Sequence, residues 1–171
     1  MQTHPMSVRH GFTMIELLVT ITMIGVISLM AFGRTSSMMT QWRVGRAAQA
    51  YAEELQSAFA IVGRDRKPVR VVLKIVNTTT VKKIELQVVN RDSTVFYRRR
   101  NLGPESAYKL EPGDISASST NLLIFPPGLA ADTLTVRFSR QGKFRRVRLL
   151  RGGLVQVCSN PSTLNGVCTP A

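Results

Sequence analysis

Three sets of side chains in this sequence have the type and spacing to do chemistry. The first is Glu16, the single charge inside the apolar run from Phe12 to Phe32. An unpaired carboxylate in hydrocarbon costs a few kcal/mol, so Glu16 needs either a cationic partner or a hydrated position near an interface. The second set is Cys158 and Cys168. Two thiolates alone do not complete a tetrahedral metal site. In an exported domain the pair reads as a disulfide closing a short loop, with two unrelated free thiols as the alternative. The third set is basic. Arg137, Arg140, Lys143, Arg145, Arg146, Arg148 and Arg151 follow one another with no acid between them, and Arg98-Arg99-Arg100 forms a shorter block. Arginine forks bind phosphate or carboxylate bidentately. Along a strand, Arg146 and Arg148 project to one face, with Val147 and Leu149 on the other. Such a face suits a solvated surface that meets acidic neighbours, anionic lipid headgroups, or the phosphates of DNA. The candidate residues for an anionic partner are Arg140, Lys143, Arg145, Arg146, Arg148 and Arg151.

Other chemistry is excluded by composition. Both histidines, His4 and His10, lie in the first ten residues. If that stretch is removed, no Ser/His/Asp or Cys/His nucleophilic site and no histidine-containing zinc site can be built. No catalytic residues, metal ligands or cofactor site emerge, and the chain is expected not to be an enzyme. The length of 171 residues suits one domain plus an anchoring segment. The formal charge of +13 favours anionic partners without determining the fold.

The elements that position these residues begin with the apolar run. It is long enough to cross a bilayer as a helix, which takes about 20 residues. A secretory signal peptide fits poorly, because a carboxylate sits inside the run and no A-x-A site follows. A generic single-pass anchor fits the hydropathy but leaves Glu16 unexplained. The stretch Gly11-Phe12-Thr13-Met14-Ile15-Glu16 resembles the signal of type IV prepilins. That resemblance implies cleavage after Gly11 by prepilin peptidase on the cytoplasmic side and methylation of the new amine of Phe12. It also implies that Glu16 pairs with the amine of a neighbouring subunit during assembly. Gly25 falls where pilins commonly carry glycine, whereas Gly33 stands where many have proline. Removing a buried charge's partner is strongly unfavourable, so such a pair enforces register.

Beyond Gly33 the chain stays helix-friendly to about Val62, with Gly63 as the expected stop. Trp42, Ala48, Tyr51, Leu55, Phe59 and Val62 are expected to form one apolar face. The whole helix would run ~75 Å at 1.5 Å per residue. From Val69 the pattern turns to strands: 69–76 and 84–89 as a hairpin, 94–98, a loop over 101–120, then 122–125. A second hairpin, 133–138 and 144–150, follows, with 153–158 last. One long helix followed by antiparallel strands gives an α+β domain.

The stretches Arg46-Ala47-Ala48, Glu54-Leu55-Gln56-Ser57-Ala58 and Pro68-Val69, with the late Phe138-x-x-x-Gly142 turn, resemble the GspH/FimT family of minor pilins and pseudopilins. The resemblance implies a pilin-like fold: a long helix, transmembrane in its first half, packed on an antiparallel sheet, with a C-terminal disulfide loop. It divides the chain into a leader (1–11), a transmembrane helix (12–33), an amphipathic second half (34–63) and a periplasmic β-rich domain (64–171). The implied location is the inner membrane, then a filament. The implied partners are prepilin peptidase and other minor or major pilins or pseudopilins, and the implied role is to initiate assembly. The family's DNA-binding members carry Gly-Arg-x-Arg before the first C-terminal cysteine. Here that stretch is Gly153-Leu154-Val155-Gln156, so both arginines are absent and the DNA site does not carry over.

Overall fold

The structure is a computed structural model that describes residues 12–159 and 168–170; for residues 30–34 and Thr169 it describes the backbone alone. Its contacts divide the chain into two compact units, Met1–Met38 and Met39–Ala171. A single helix, α1 (Met14–Asp65), is 52 residues long. The strands are β1 (Val69–Asn77), β2 (Lys82–Asn90), β3 (Phe96–Asn101), β4 (Ile115–Ala117), β5 (Asn121–Phe125), β6 (Leu129–Ala130), β7 (Leu134–Arg140), β8 (Lys143–Leu149), β9 (Val155–Cys158) and β10 (Cys168–Pro170). Among the described residues they form two antiparallel five-stranded sheets, β3-β2-β1-β5-β6 and β10-β9-β8-β7-β4.

The second unit is built around the C-terminal half of α1. Val44, Ala47, Ala48, Tyr51, Leu55, Ala58 and Val62 are buried at spacings of three and four, the stripe that a 3.6-residue period requires. Ala50 and Ala52 widen it, so both sheets have helix surface to cover. Toward the second sheet, Tyr51 meets Phe138 edge to face, with ring centroids 5.7 Å apart. Toward the first, Glu54 meets β3. The strands bury alternate residues: Val69, Val71 and Leu73 on β1, and Leu134, Val136 and Phe138 on β7. Burial pushes the Tyr51 hydroxyl well above the usual phenol range, consistent with a ring sealed in the core.

The β7–β8 hairpin explains the Phe138-x-x-x-Gly142 pattern physically. Arg140 and Lys143 are the closing pair, leaving Gln141 (φ 47°) and Gly142 (φ 74°) as the two-residue loop. Positive φ at both centres is the turn whose twist matches the flanking strands. Phe138 fills the core and Gly142 makes the turn. The Thr40 hydroxyl donates to Gln141 Oε1 at 2.9 Å, tying the turn to the helix.

Several expectations are corrected. Trp42 is 64% exposed; its six-residue step to Ala48 turns the helix about 240° away from the buried face. The helix runs past Gly63 to Asp65. It ends at Arg66, whose φ of 52° is left-handed and whose N–H reaches the Val62 carbonyl at 2.9 Å, a C-terminal cap made by a non-glycine. The strand expected at 94–98 lies at Phe96–Asn101. The expected loop over 101–120 contains a 3-10 turn, Pro112–Asp114, and β4. The last expected strand starts at Val155, because Gly153 (φ 83°) belongs to the turn before it.

Candidate functional site

At the N-terminal end, Gly11 lies outside the described residues, and Phe12 is exposed. Thr13 caps α1. The Glu16 N–H donates to the Thr13 carbonyl at 3.1 Å and to its hydroxyl at 3.3 Å. Glu16 therefore stands in the first turn, where the helix dipole favours a carboxylate. This is an intramolecular reason for the acid's position that sequence reading missed, although Thr13-x-x-Glu16 has the spacing of a capping box. The hydroxyls of Thr20 and Thr22 bond back to the Leu17 and Val19 carbonyls at 2.9 and 2.8 Å, so the helix satisfies its own polar groups. Every described side chain from Phe12 to Leu29 is exposed. A continuous apolar surface of this kind marks a face that something else covers. Among the described residues no helix is long and apolar enough to cross a membrane.

The cysteines are joined. Cys158 and Cys168 face each other across β9 and β10 and form a disulfide. The loop between them, 160–167, lies outside the described residues.

The basic residues do not form one patch. Arg98 and Arg100 project inward from β3 onto Glu54, which is only 3% exposed. Arg100 Nε lies 2.7 Å from Oε1 and Arg98 Nε 3.2 Å from Oε2. The second contact is an ion pair without hydrogen-bond geometry. Arg99, on the opposite face, lies over the Phe96 ring at 5.4 Å. Of the six C-terminal candidates, Arg140 pairs with Asp114 at 3.6 Å and donates to the Lys109 carbonyl. Arg151 pairs with Asp132 at 3.3 Å. The Thr133 N–H first, then Arg151, holds the Asp132 carboxyl below its usual range. Arg145 donates to the Ser159 carbonyl at 2.6 Å. Strand alternation places it on the side of Val147, opposite Arg146 and Arg148.

Among the described residues Lys143, Arg146 and Arg148 have no ion pair, and all three are exposed. Arg146 stands directly opposite Arg137, and Arg148 opposite both Thr135 and Gln156. Arg137, omitted from the six candidates, lies over the Phe144 ring at 5.0 Å. Like charges directly opposite on neighbouring strands repel, and here both Arg137 and Arg146 are exposed to solvent.

Residues 6–32 match the prokaryotic N-terminal methylation motif. Among solved structures, the type IV minor pilin FimU of Pseudomonas aeruginosa has the same fold, with a TM-score of 0.50 over 70% of this chain and 89% of that one, at 17% identity. The chain is a type IV pilin-like protein. No curated protein matches it. The expected pilin-like fold is present, with a long helix, antiparallel strands and a C-terminal disulfide. The motif and the fold together support a subunit role in a pilus or pseudopilus for this pilin-like protein.

Proposed function

We propose that the protein is cut after Gly11 by prepilin peptidase, methylated on Phe12, and built into a type IV pilus or a type II secretion pseudopilus. Residues 12–33 anchor it in the inner membrane: in sequence the run is apolar from Phe12 to Phe32 apart from Glu16, about the length a span takes, although the described residues of the helix do not by themselves make one. The β-rich domain lies in the periplasm. Together with other minor subunits the protein helps initiate the filament. The observation that carries this reading is the methylation motif over residues 6–32, followed by an exposed apolar helix with one carboxylate in its first turn. In the filament that carboxylate meets the amine of a neighbouring Phe12, and the apolar surface is covered by other subunits.

Mass spectrometry of the cellular protein tests the reading: the mature chain begins at N-methylated Phe12. A chain retaining its first eleven residues would sink it. Glu16→Gln is expected to be processed normally but left out of filaments, and deletion of the gene is expected to reduce filament number.

A second reading is a DNA-binding subunit for DNA uptake. It is favoured by Arg146 and Arg148, which share one exposed face of β8 and have no ion pair among the described residues. Arg148 stands beside Gln156, one of the two positions where the family's DNA-binding arginines are absent. Arg140, Arg145 and Arg151 are engaged elsewhere. Binding through this face would weaken steeply with salt, and Arg146→Glu with Arg148→Glu would abolish a gel shift. Binding unchanged by that double substitution rejects the face.

A further inference from the structure

The exposed Trp42 borders a cavity of about 310 Å³ together with Gln41, Gly45, Arg46, Gln49 and Arg145. Its floor is Gly45, where an added Cβ would meet nothing within 4 Å. Trp42 and Arg46 are one helical turn apart and therefore neighbours on the helix surface. Arg145 reaches the slot from β8 and is held in place by the Ser159 carbonyl at 2.6 Å. A guanidinium has five N–H donors, so this bond leaves Arg145 others for a ligand. No acid lines the slot, and among the described residues neither Arg46 nor Arg145 has an ion pair. The depression is open to solvent and so suits one protruding side chain rather than an enclosed small molecule.

We propose that this slot receives a carboxylate side chain, flanked by an apolar one, from an acidic neighbouring subunit. The proposal rests on the subunit reading above and names the chemistry of the partner. Both guanidiniums line one opening, and a carboxylate can accept from more than one charged donor. The indole and the open floor over Gly45 take the adjacent apolar group. A polyanion needs a basic track with several phosphate contacts. On β8, Arg146 and Arg148 point to the other face and Lys143 alone shares the side of Arg145, too few cations on that strand for a track. A second copy of this chain is disfavoured as the occupant, because molecules carrying +13 each repel. The geometry points to hetero-assembly with an acidic partner rather than to self-assembly.

Trp42 is the only tryptophan in the chain, so its emission reports on the slot directly. The full chain in neutral detergent is titrated with a ten-residue peptide of alternating glutamate and leucine. Controls are the same peptide with glutamine for glutamate, an oligothymidylate of equal charge, and phosphatidylglycerol vesicles. The glutamate peptide is expected to shift Trp42 emission saturably, and the glutamine peptide to do nothing. Arg46→Gln and Arg145→Gln are each expected to weaken binding about tenfold, from the loss of one charged hydrogen-bonding partner. Arg146→Glu with Arg148→Glu changes it less than twofold. Circular dichroism of each variant confirms folding, and a variant that fails to fold is replaced by the Lys substitution at the same position, which keeps charge but loses the fork. A response to the oligonucleotide or vesicles but not the peptide overturns the proposal. So does silence to every probe, or equal loss from the Arg146/Arg148 variant. The titration needs no filament, so its failure is distinct from a failure of N-terminal processing, which would remove the subunit reading instead.

Discussion

Gly153→Ala puts one methyl group where two loops and the helix meet. Gly153 has φ of 83°, and a Cβ there would lie 2.8 Å from the Gly128 carbonyl oxygen and 3.3 Å from the Phe59 ring. The left-handed backbone costs about 1–2 kcal/mol for a residue with a Cβ. Alanine also stiffens the unfolded chain, which offsets about 0.4–1 kcal/mol of that cost. The contact at 2.8 Å is with backbone, so it is relieved only by moving the turn that contains Gly128, itself at φ of 123°. A net loss of about 2–3 kcal/mol follows. For a domain of this size it lowers Tm by about 4–12 °C. The assay is thermal and urea denaturation of the compact unit beginning at Met39. Gly152→Ala is the internal control, since its Cβ would meet nothing within 4 Å. Equal Tm shifts for the two variants would refute the argument that a specific close approach at position 153 is what matters.

Glu54→Gln removes the carboxylate shared by Arg98 and Arg100. Their side chains are 49% and 27% exposed and can turn to water, so the expected loss is about 2 kcal/mol, below the 3–5 kcal/mol of a fully buried pair; the urea midpoint measures it. Cys158→Ser with Cys168→Ser opens a bridge spanning a sequence separation of 10 and is expected to cost about 2–3 kcal/mol, read as the same fall in stability that a reductant causes in the parent. The Glu85 carboxyl is held below its ordinary value of 4.5, chiefly by the Lys83 ammonium 2.8 Å away, against the opposing effect of desolvation. Its contribution is therefore full above that value and disappears as pH falls through the lowered one; Glu85→Gln should flatten this part of the acid limb when the urea midpoint is plotted against pH.

Periodicity makes the long helix and the two hairpins legible, and resemblance to a short motif does the same for the prepilin signal, because each depends on residues close in sequence. The errors came where that locality ends. By residue type Trp42 belongs in the core, but its step to Ala48 leads off the stripe. Pairing of Val69 with Ile124 and of Ile115 with Phe138 joins distant segments, and no local pattern announces it. For that reason β4 lies inside what the sequence presents as a loop, and the strands divide into two sheets where the sequence implies one. The two-residue β6 is too short to show alternation. No local pattern marks Glu54 as buried; only the register of β3 against β2, with Val88 opposite Arg98 and Leu86 opposite Arg100, turns both arginines inward to meet it.

Strand alternation also divides what the sequence presents as blocks of charge, and the division bears on function. Arg98 and Arg100 serve the fold by clamping β3 to α1, while Arg99 faces outward. Arg145 faces the helix and the Trp42 slot, while Arg146 and Arg148 face away. A chain of +13 thus presents two separate basic surfaces on β8, and neighbouring residues in sequence belong to different ones. Substituting Arg145, Arg146 and Arg148 together would disable both surfaces at once and leave any phenotype unassigned. Separate variants, Arg145→Gln for the slot and Arg146→Glu with Arg148→Glu for the exposed face, allow assembly with an acidic neighbour and binding of a polyanion to fail independently.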